Sequence, residues 1–452
     1  MEGLPPAVPG TVLRILSTND MEATFVPLPT SFGESGSCAG IVELLERERA
    51  RQPTIWLDSG DLTVGPVPPL LGSRPWADVA DLPIAAAAAG NHEFDDGVPA
   101  LLEAAQLLPF PLLCGNVDIG LPGTTLIDSG AGPIGVIGLT HPQVERFTRA
   151  PTVANNWSDQ VASSAHELRA QGARWVVSLL HDGVVWWPST NGPKGSIESR
   201  SDGLDEVARP WAEHVDLILC AHTHGGWVGE LAGTPAGQAY SFASSVLVVD
   251  LAEPPARPVV RGAFRVPARR PSAANQSTRA MDTAASEVVG RSKHTWITRT
   301  GAQHYLPDLV ATAFQNATSA DGALIPAGQS STQAPLDGAV AGLRAGPVTQ
   351  LDLMRLFSYH DDHLVVVEVA ADEFRLAVDF YNQLADPHSK ESDYSPWNTC
   401  LMPPGVSRNV EKPRTVAVMN WVVPRLGHSL HRALDGERAT VGARDALLQA
   451  LS

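Results

Sequence analysis

The chain has 452 residues, with 32 Lys plus Arg against 49 Asp plus Glu, a formal net charge of −17 and 44% hydrophobic residues. At roughly 100 to 200 residues per domain this length holds two cores, and we read two domains from it. So acidic a chain argues against a nucleic-acid backbone as partner, since phosphate contacts need clustered Lys and Arg, and an anionic substrate would need local positive charge, such as a bound metal pair.

In chain order, Met1 to Gly10 carries no basic segment followed by an apolar core, so neither a signal peptide nor a membrane anchor is expected, and the expected compartment is the cytoplasm. From Val12 to Leu251 the pattern is apolar run, polar turn, amphipathic stretch, repeated. The runs cover residues 12–16, 54–57, 111–114, 134–139, 175–180, 217–220 and 245–251, and helical spacing marks 39–51 and 159–171. This predicts an α/β domain over residues 10–255, with helices covering the sheets and a ligand site at the carboxyl ends of the strands.

Residues 252–270 are rich in Pro, Ala and Arg and lead into a polar stretch with a possible helix, which predicts a linker over 256–297. A smaller α/β domain is predicted over 298–452, with helices at 308–317 and 372–384 and strands at 364–369 and 415–419. Cys38, Cys114, Cys220 and Cys400 form no CxxC pair, which predicts reduced, mostly buried thiols; Cys220 is singled out by its position two residues before His222.

Five polar clusters punctuate the first domain. Asn19-Asp20-Met21-Glu22, Gly60-Asp61, His181 and His222-Thr223-His224 each follow an apolar run, and Gly90-Asn91-His92-Glu93-Phe94-Asp95 follows the small residues 85–89. A pair of divalent ions is well served by one bridging carboxylate, with neutral nitrogens and amide oxygens completing each shell. Asp61 is the bridging candidate. If the chain is extended, Asp20 and Glu22 point to one side and grip one ion, joined by His224; by the same parity His222 and His224 project together. Asn91, His181 and His222 complete the second ion. Asp20, Glu22 and Asp61 set three negative charges against the four positive charges of two ions, and the surplus is where a phosphate binds. His92, oriented by Asp95, then stabilises the transition state or protonates the leaving oxygen.

Taken singly, each piece has an ordinary structural reading. Asp20 and Glu22 suit a turn, His181 suits a core and Asp95 suits a helix cap. The pair His222 and His224, directly after an apolar strand, is the hardest to assign to packing alone.

In this order the motifs Asp20, Gly60-Asp61, Gly90-Asn91-His92-Glu93, His181 and His222-Thr223-His224 resemble the calcineurin-like metallophosphoesterases. Thr18-Asn19-Asp20, the run from Gly90 to Asp95 and the second domain resemble the bacterial 5'-nucleotidase family in particular. The resemblance implies a four-layer catalytic domain, two sheets between helices, joined to an α/β substrate-binding domain, with two divalent metal ions (Mn, Fe, Zn or Mg) and a His92–Asp95 pair. The expected partner is a small-molecule phosphate ester, and with no anchor segment read from the sequence no membrane partner is expected.

The departures are specific. Glu22 stands where the family pattern has His; it can still bind Mn, Fe or Mg and would favour harder ions, or it can withdraw to solvent. Ala221 replaces a usual Gly. Residues 326–331 lack the arginine of the family's nucleotide-holding stretch, and residues 419–421 and 424–427 replace its late Gly-rich pattern. Phe357, Tyr359 and Trp421 are the candidates for stacking on a base. The expected function is phosphomonoester hydrolysis in a cytosolic pathway; the alternatives are a cyclic phosphodiesterase and an inactive, ligand-binding relative.

Overall fold

The computed structural model describes the chain apart from residues 1–2, 31–32, 66, 147, 149, 189–196, 201, 298–302, 326–341, 358–362, 371, 385–404, 407–413, 424–429, 431–433 and 452. It divides into two compact units. The first comprises Met1–Val64, Arg74–Val185 and Ser199–Thr278; the second comprises Gly65–Ser73, Trp186–Glu198 and Arg279–Ser452.

The two large sheets of the first unit are built on twelve strands: β1 (Thr11–Thr18), β2 (Thr54–Asp58), β3 (Ala86–Ala88), β4 (Leu112–Leu113), β5 (Thr124–Asp128), β6 (Pro133–Leu139), β7 (Trp175–Leu180), β8 (Leu217–Cys220), β9 (Trp227–Leu231), β10 (Thr234–Gln238), β11 (Ser245–Ala252) and β12 (Val259–Arg265). They form two six-stranded sheets, ordered β12-β11-β1-β2-β3-β4 and β9-β10-β8-β7-β6-β5. In the first sheet β1 to β4 are parallel and β11 and β12 are added antiparallel. In the second, β10, β8, β7 and β6 are parallel and both edge strands are antiparallel.

The period-two pattern explains how the sheets meet. Leu13 and Ile15, Ile55 and Leu57, Ala86 and Ala88, and Leu247, Val249 and Leu251 alternate along the first sheet. Ile134 and Val136, Trp175, Val177 and Leu179, and Leu217 and Leu219 alternate along the second, and all belong to one buried cluster. The opposite faces take helices. Helix α1 (Cys38–Arg49) lies against β2, and α2 (Trp157–Ala170) lies against β6 and β7, where a side chain at Gly135 would collide with Leu168. Ser37 caps α1 by accepting from the Gly40 N–H at 3.3 Å. The four layers expected from the resemblance are present.

Behind this core lies a buried ion network. Arg14, fully buried on β1, donates from Nη1 to Glu48 of α1 at 2.6 Å, from Nε to Asp250 of β11 at 2.8 Å and from Nη2 to Asp250 at 3.1 Å. The Val8 N–H and Arg261 also bond Asp250, at 3.1 and 3.0 Å.

The second unit contains a five-stranded sheet in the order Gly405–Val406, Gly322–Ile325, Thr415–Met419, His363–Glu368, Gly436–Gly442, with helices Leu306–Thr318 and Ala443–Leu451 contributing to the same core. Among the described residues no helix is long and apolar enough to cross a membrane.

The expected linker over 256–297 is corrected. Residues Val259–Arg265 pair with β11, a register shift between Val248 and Val249 accommodating the strand, so the first sheet runs past residue 255. Helix Gln276–Ser286 is the helix expected within that stretch, and Val288–Ser292 pairs with Gly346–Thr349. The composition misled because Pro254, Pro255, Pro258 and Pro267 flank the strand without entering it, and an edge strand tolerates its two Arg.

Removing one partner of a buried, hydrogen-bonded ion network leaves the others uncompensated, at a cost of about 3–5 kcal/mol. We therefore expect Arg14→Ala to lower the denaturant midpoint of the first unit by that equivalent. A midpoint unchanged in urea unfolding would show that the network contributes no net stability.

Candidate functional site

The parallel strands of both sheets deliver the polar clusters at their carboxyl ends. Asp20 and Glu22 follow β1, Gly60-Asp61 follows β2, Gly90-Asn91 follows β3, His181 follows β7 and His222 and His224 follow β8. The side chains converge by turn geometry rather than by the strand parity read from sequence. Asp20, Glu22, Asp61, His222 and His224 have φ of 48°, 49°, 59°, 71° and 61°, all in the left-handed region. For non-glycine residues this costs on the order of 1–3 kcal/mol each and persists only where surrounding structure enforces it. The enforcement is visible: Asp20 N–H donates to Gly60 O at 2.9 Å, Glu22 N–H to Asp61 O at 3.1 Å and Phe242 N–H to Asp20 O at 2.8 Å.

Two glycines bring the β2 and β3 turns into contact. Gly60 has φ 104°, and a Cβ there would lie 2.6 Å from Gly90 N and 2.8 Å from His181 Nδ1; a Cβ on Gly90 would strike the Asp61 carboxylate. Glu93, buried, clamps the same junction. Its carboxylate accepts from the N–H groups of Gly90, Asp61 and Leu62 at 2.7, 2.9 and 2.9 Å. Thr140, after β6, donates to Gly90 O at 3.2 Å and is held by Asn116, after β4.

The cluster falls into two neighbouring groups. In one, His181 Nε2 is 3.1 Å from both Asp61 Oδ2 and Asn91 Oδ1, and His222 Nδ1 is 2.8 Å from Asn91 Oδ1. Asp61, His181 and His222 each offer a ligand atom, all within 4.8 Å of one another. His181 Nδ1–H is used on the Ser59 carbonyl at 2.7 Å, which leaves Nε2 as the inward atom. In the other, His224 Nε2 is 3.3 Å from Glu22 Oε1 and 3.5 Å from Asp20 Oδ1. Asp20 Oδ2 accepts from Asn19 at 2.6 Å and from the His222 N–H at 2.9 Å, whereas Oδ1 is buried and makes no hydrogen bond.

The donor set fits cations. Burial pushes the Glu22 carboxyl well above its usual range, relieved by His92 and reinforced by Asp20 and Asp61. The His181 imidazole is pushed up to about 10: burial alone would lower it, but Asp61 and Asp20 outweigh that. Burial holds His222 and His224 below the ordinary imidazole value, and so neutral, as metal ligands must be. Inward-facing oxygens and a basic imidazole thus call for positive charge at the centre. Burial also pushes the Cys220 thiol up; at 1% exposure on β8 it is a core residue rather than a ligand. Cys38 and Cys114 are likewise buried free thiols, and Cys400 lies outside the described residues.

His92 sits beside this cluster. Its backbone N–H donates to Asp61 Oδ1 at 2.9 Å, and its Nδ1 pairs with Asp95 Oδ2 at 2.8 Å, which makes Nε2 the ring nitrogen that can address a substrate. Asp95 does not cap the following helix, whose N-cap is Gly97. Burial would lower the His92 value, but Asp95 and Asp61 carry it up to about 9. Arg74, its side chain 7% exposed, contacts Asp95 Oδ2 at 3.1 Å, Asp96 Oδ2 at 2.6 Å and Thr63 Oγ1 at 3.2 Å, so it holds Asp95 in place.

The structure therefore brings together Asp20, Glu22, Asp61, Asn91, His92, Asp95, His181, His222 and His224. It does not support the stacking role expected of Phe357. That ring is 1% exposed in the core of the second unit, 6.0 Å from the Phe314 ring, and has no open face for a base. Tyr359 lies outside the described residues, as does the Trp421 side chain, whose backbone is in the short helix Asn420–Val422.

Sequence reasoning missed the supports Glu93, Arg74, Asn116 and Thr140, and also His141, whose Nδ1 accepts from the Gln143 N–H at 3.0 Å while Nε2 lies 3.7 Å from Asp182. Asn116, Thr140 and His141 could have been found by the rule that located the others, a polar residue just past an apolar strand. Arg74 carries no such signal.

Residues 13–226 match the model of the calcineurin-like phosphoesterase family. Among curated proteins the chain is 24% identical over 275 residues to "Endonuclease YhcR" of Bacillus subtilis, covering 53% of this chain and 22% of that one. It is 29% identical over 196 residues to a 5'-nucleotidase of Diplobatis ommata, covering 38% and 33%. The chain thus spans a third or less of the length of these relatives. Among solved structures it is similar to a 5'-nucleotidase precursor from Thermus thermophilus, with TM-score 0.71, 19% identity and coverage of 97% of this chain and 96% of that one. That match extends over both units and shows the same fold.

Because the folded His92 value lies above its ordinary 6.5, the stability from the His92–Asp95 pair is full below pH about 6.5 and is lost as pH rises through about 9. In chelator-treated protein we expect the His92 ring resonances to titrate near 9, and Asp95→Asn to move that midpoint down toward 6.5. A midpoint indifferent to Asp95→Asn would contradict the pairing.

Proposed function

We propose, from the premise that residues 13–226 are a calcineurin-like phosphoesterase domain, that this chain is a metal-dependent hydrolase of small phosphate esters. Phosphomonoesters of the nucleotide type are the first class to expect. The observation that carries the reading is the convergence of ligand atoms from Asp61, His181 and His222 within 4.8 Å, beside a histidine held by a carboxylate.

Asp20, Glu22 and His224 would hold one ion and Asn91, His181 and His222 the other, with Asp61 between them. When bound, such ions neutralise phosphate charge and act as Lewis acids. The chain's own residues do the rest. Asp95 fixes the His92 tautomer through Nδ1, and Arg74 keeps Asp95 in register. The Nε2–H of protonated His92 can donate to a phosphoryl oxygen as charge builds, or pass its proton to the leaving alkoxide while a water oxygen replaces it on phosphorus. Glu93 and the Gly60–Gly90 contact keep the Asp61 turn and the Asn91 turn at fixed separation.

A second reading is phosphodiester hydrolysis. His92 serves either leaving group equally, and the Bacillus subtilis relative is named an endonuclease. The net charge of −17 favours small esters over a nucleic acid within that class.

The test is hydrolysis by metal-loaded protein of p-nitrophenyl phosphate, bis(p-nitrophenyl) phosphate, 5'- and 3'-nucleotides and 2',3'-cyclic nucleotides. We expect monoesters to be cleaved fastest and chelation to abolish turnover. His92→Ala should lower kcat by about 10²–10⁴ with metal content unchanged. Turnover that survives metal removal, or full kcat in His92→Ala, would overturn the assignment of the site.

A further inference from the structure

We infer that Glu22 makes the two halves of this centre chemically unequal, so that Asp20, Glu22 and His224 select a hard, oxygen-seeking divalent ion while Asn91, His181 and His222 accept a softer one, with Asp61 shared. The inference rests on the metal-dependent reading above and adds a selectivity that the reading leaves open.

The first support is the position of Glu22. A glutamate left over from a dismantled site would relax outward, because a buried carboxylate without a partner is costly. Glu22 instead is 5% exposed, with its backbone in the left-handed region at φ 49° and its N–H tied to Asp61 O at 3.1 Å. Its Oε1 lies 3.3 Å from His224 Nε2, the nitrogen that also lies 3.5 Å from Asp20 Oδ1. The second is Asp20 Oδ1 itself, a buried oxygen without a hydrogen bond, while its sister oxygen is fixed by Asn19 and the His222 N–H. An acceptor held in this way beside another carboxylate calls for a cation.

The third is composition. Besides the shared Asp61, the Asp20 half supplies two carboxylates and one imidazole; the other supplies two imidazoles and one amide oxygen. Carboxylate oxygens suit Mg²⁺ and Mn²⁺, whereas imidazoles suit Zn²⁺ and Fe²⁺. Two donor sets of different hardness, side by side, should fill with different ions and in separate steps.

The experiment uses the full chain, stripped with chelator and then equilibrated with Mn²⁺ and Zn²⁺ at varied ratios. Bound metals are counted by elemental analysis and Mn²⁺ by electron paramagnetic resonance. We expect the parent protein to retain one Mn²⁺ at Zn:Mn ratios about tenfold higher than does Glu22→His, the equivalent of about 1.4 kcal/mol. Glu22→Gln, which keeps the shape and removes the charge, should lose the Mn²⁺ of this half and still fill the other, and it decides the question if Glu22→His does not fold. Equal exchange ratios in parent and Glu22→His, or two ions retained in Glu22→Gln, would overturn the inference and leave the hydrolase reading standing. A parent chain that takes up neither metal would overturn both.

Discussion

Three carboxylates, Asp20, Glu22 and Asp61, are buried within reach of the imidazoles of His181, His222 and His224, and on that balance the rest of the first unit depends. Buried like charges repel strongly in a medium of low dielectric, and a group of this kind persists only if positive charge is supplied at its centre. The imidazoles of His181 and His92 are drawn toward their charged forms by these same carboxylates. Burial opposes their charge, but Asp61 and Asp20 carry His181 up to about 10, and Asp95 and Asp61 carry His92 up to about 9. A divalent ion and a proton compete for the same lone pairs, so ion binding at neutral pH releases protons.

The fold is arranged to hold these charges in place against their repulsion. Two sheets of largely parallel strands carry their ends to one edge, and there the turns are forced into left-handed conformations that five of the candidate ligands share. Gly60 and Gly90 permit the turns to touch, Glu93 bonds three N–H groups across the junction, and Asn116 with Thr140 ties the second sheet to the first. Away from the site, Arg14 performs the opposite electrostatic task, closing a buried network in which cation and anions already compensate. The structural network is satisfied within the chain, and the functional one is not, as Asp20 Oδ1 shows.

Most of the first unit is legible in sequence because its signal is local. Continuous apolar runs ending in a polar cluster mark the strands and most of the ligand candidates; Asn91, His92 and Asp95 come from the tight turn that opens at Gly90. Strand parity, however, yields the right convergence of Asp20 with Glu22 and of His222 with His224 for the wrong reason, since left-handed φ values cannot be read from residue types that are not glycine. Arg74 is invisible because it meets Asp95 and Asp96 across 21 and 22 residues of chain, with no periodicity to announce it. The edge strand Val259–Arg265 reads as a linker because prolines crowd both of its flanks, at 254, 255, 258 and 267, while the strand itself carries two Arg and a Gly. In the second unit the aromatic candidates rest on chemistry alone, and Phe357 illustrates the weakness of that choice: a large apolar ring is core unless something keeps it out.

The charge count also bears on how an anionic group would be held. Three carboxylates against two divalent ions leave a net charge of about +1 before His92 is counted, less than the roughly +2 that a histidine at position 22 would leave. Arg74 adds nothing to that surplus, because its guanidinium is occupied by Asp95 and Asp96 and its side chain is 7% exposed. A cation beside the centre is the imidazolium of His92, whose Nδ1 is committed to Asp95, so that Nε2 is the nitrogen able to donate to a phosphate. In the proposed reaction the same proton therefore does two jobs, drawing the phosphate in and leaving with the departing oxygen. A modest ionic surplus suits that arrangement, since a product phosphate bound by about +2 would leave more slowly than one bound by about +1 once the imidazolium has given up its proton.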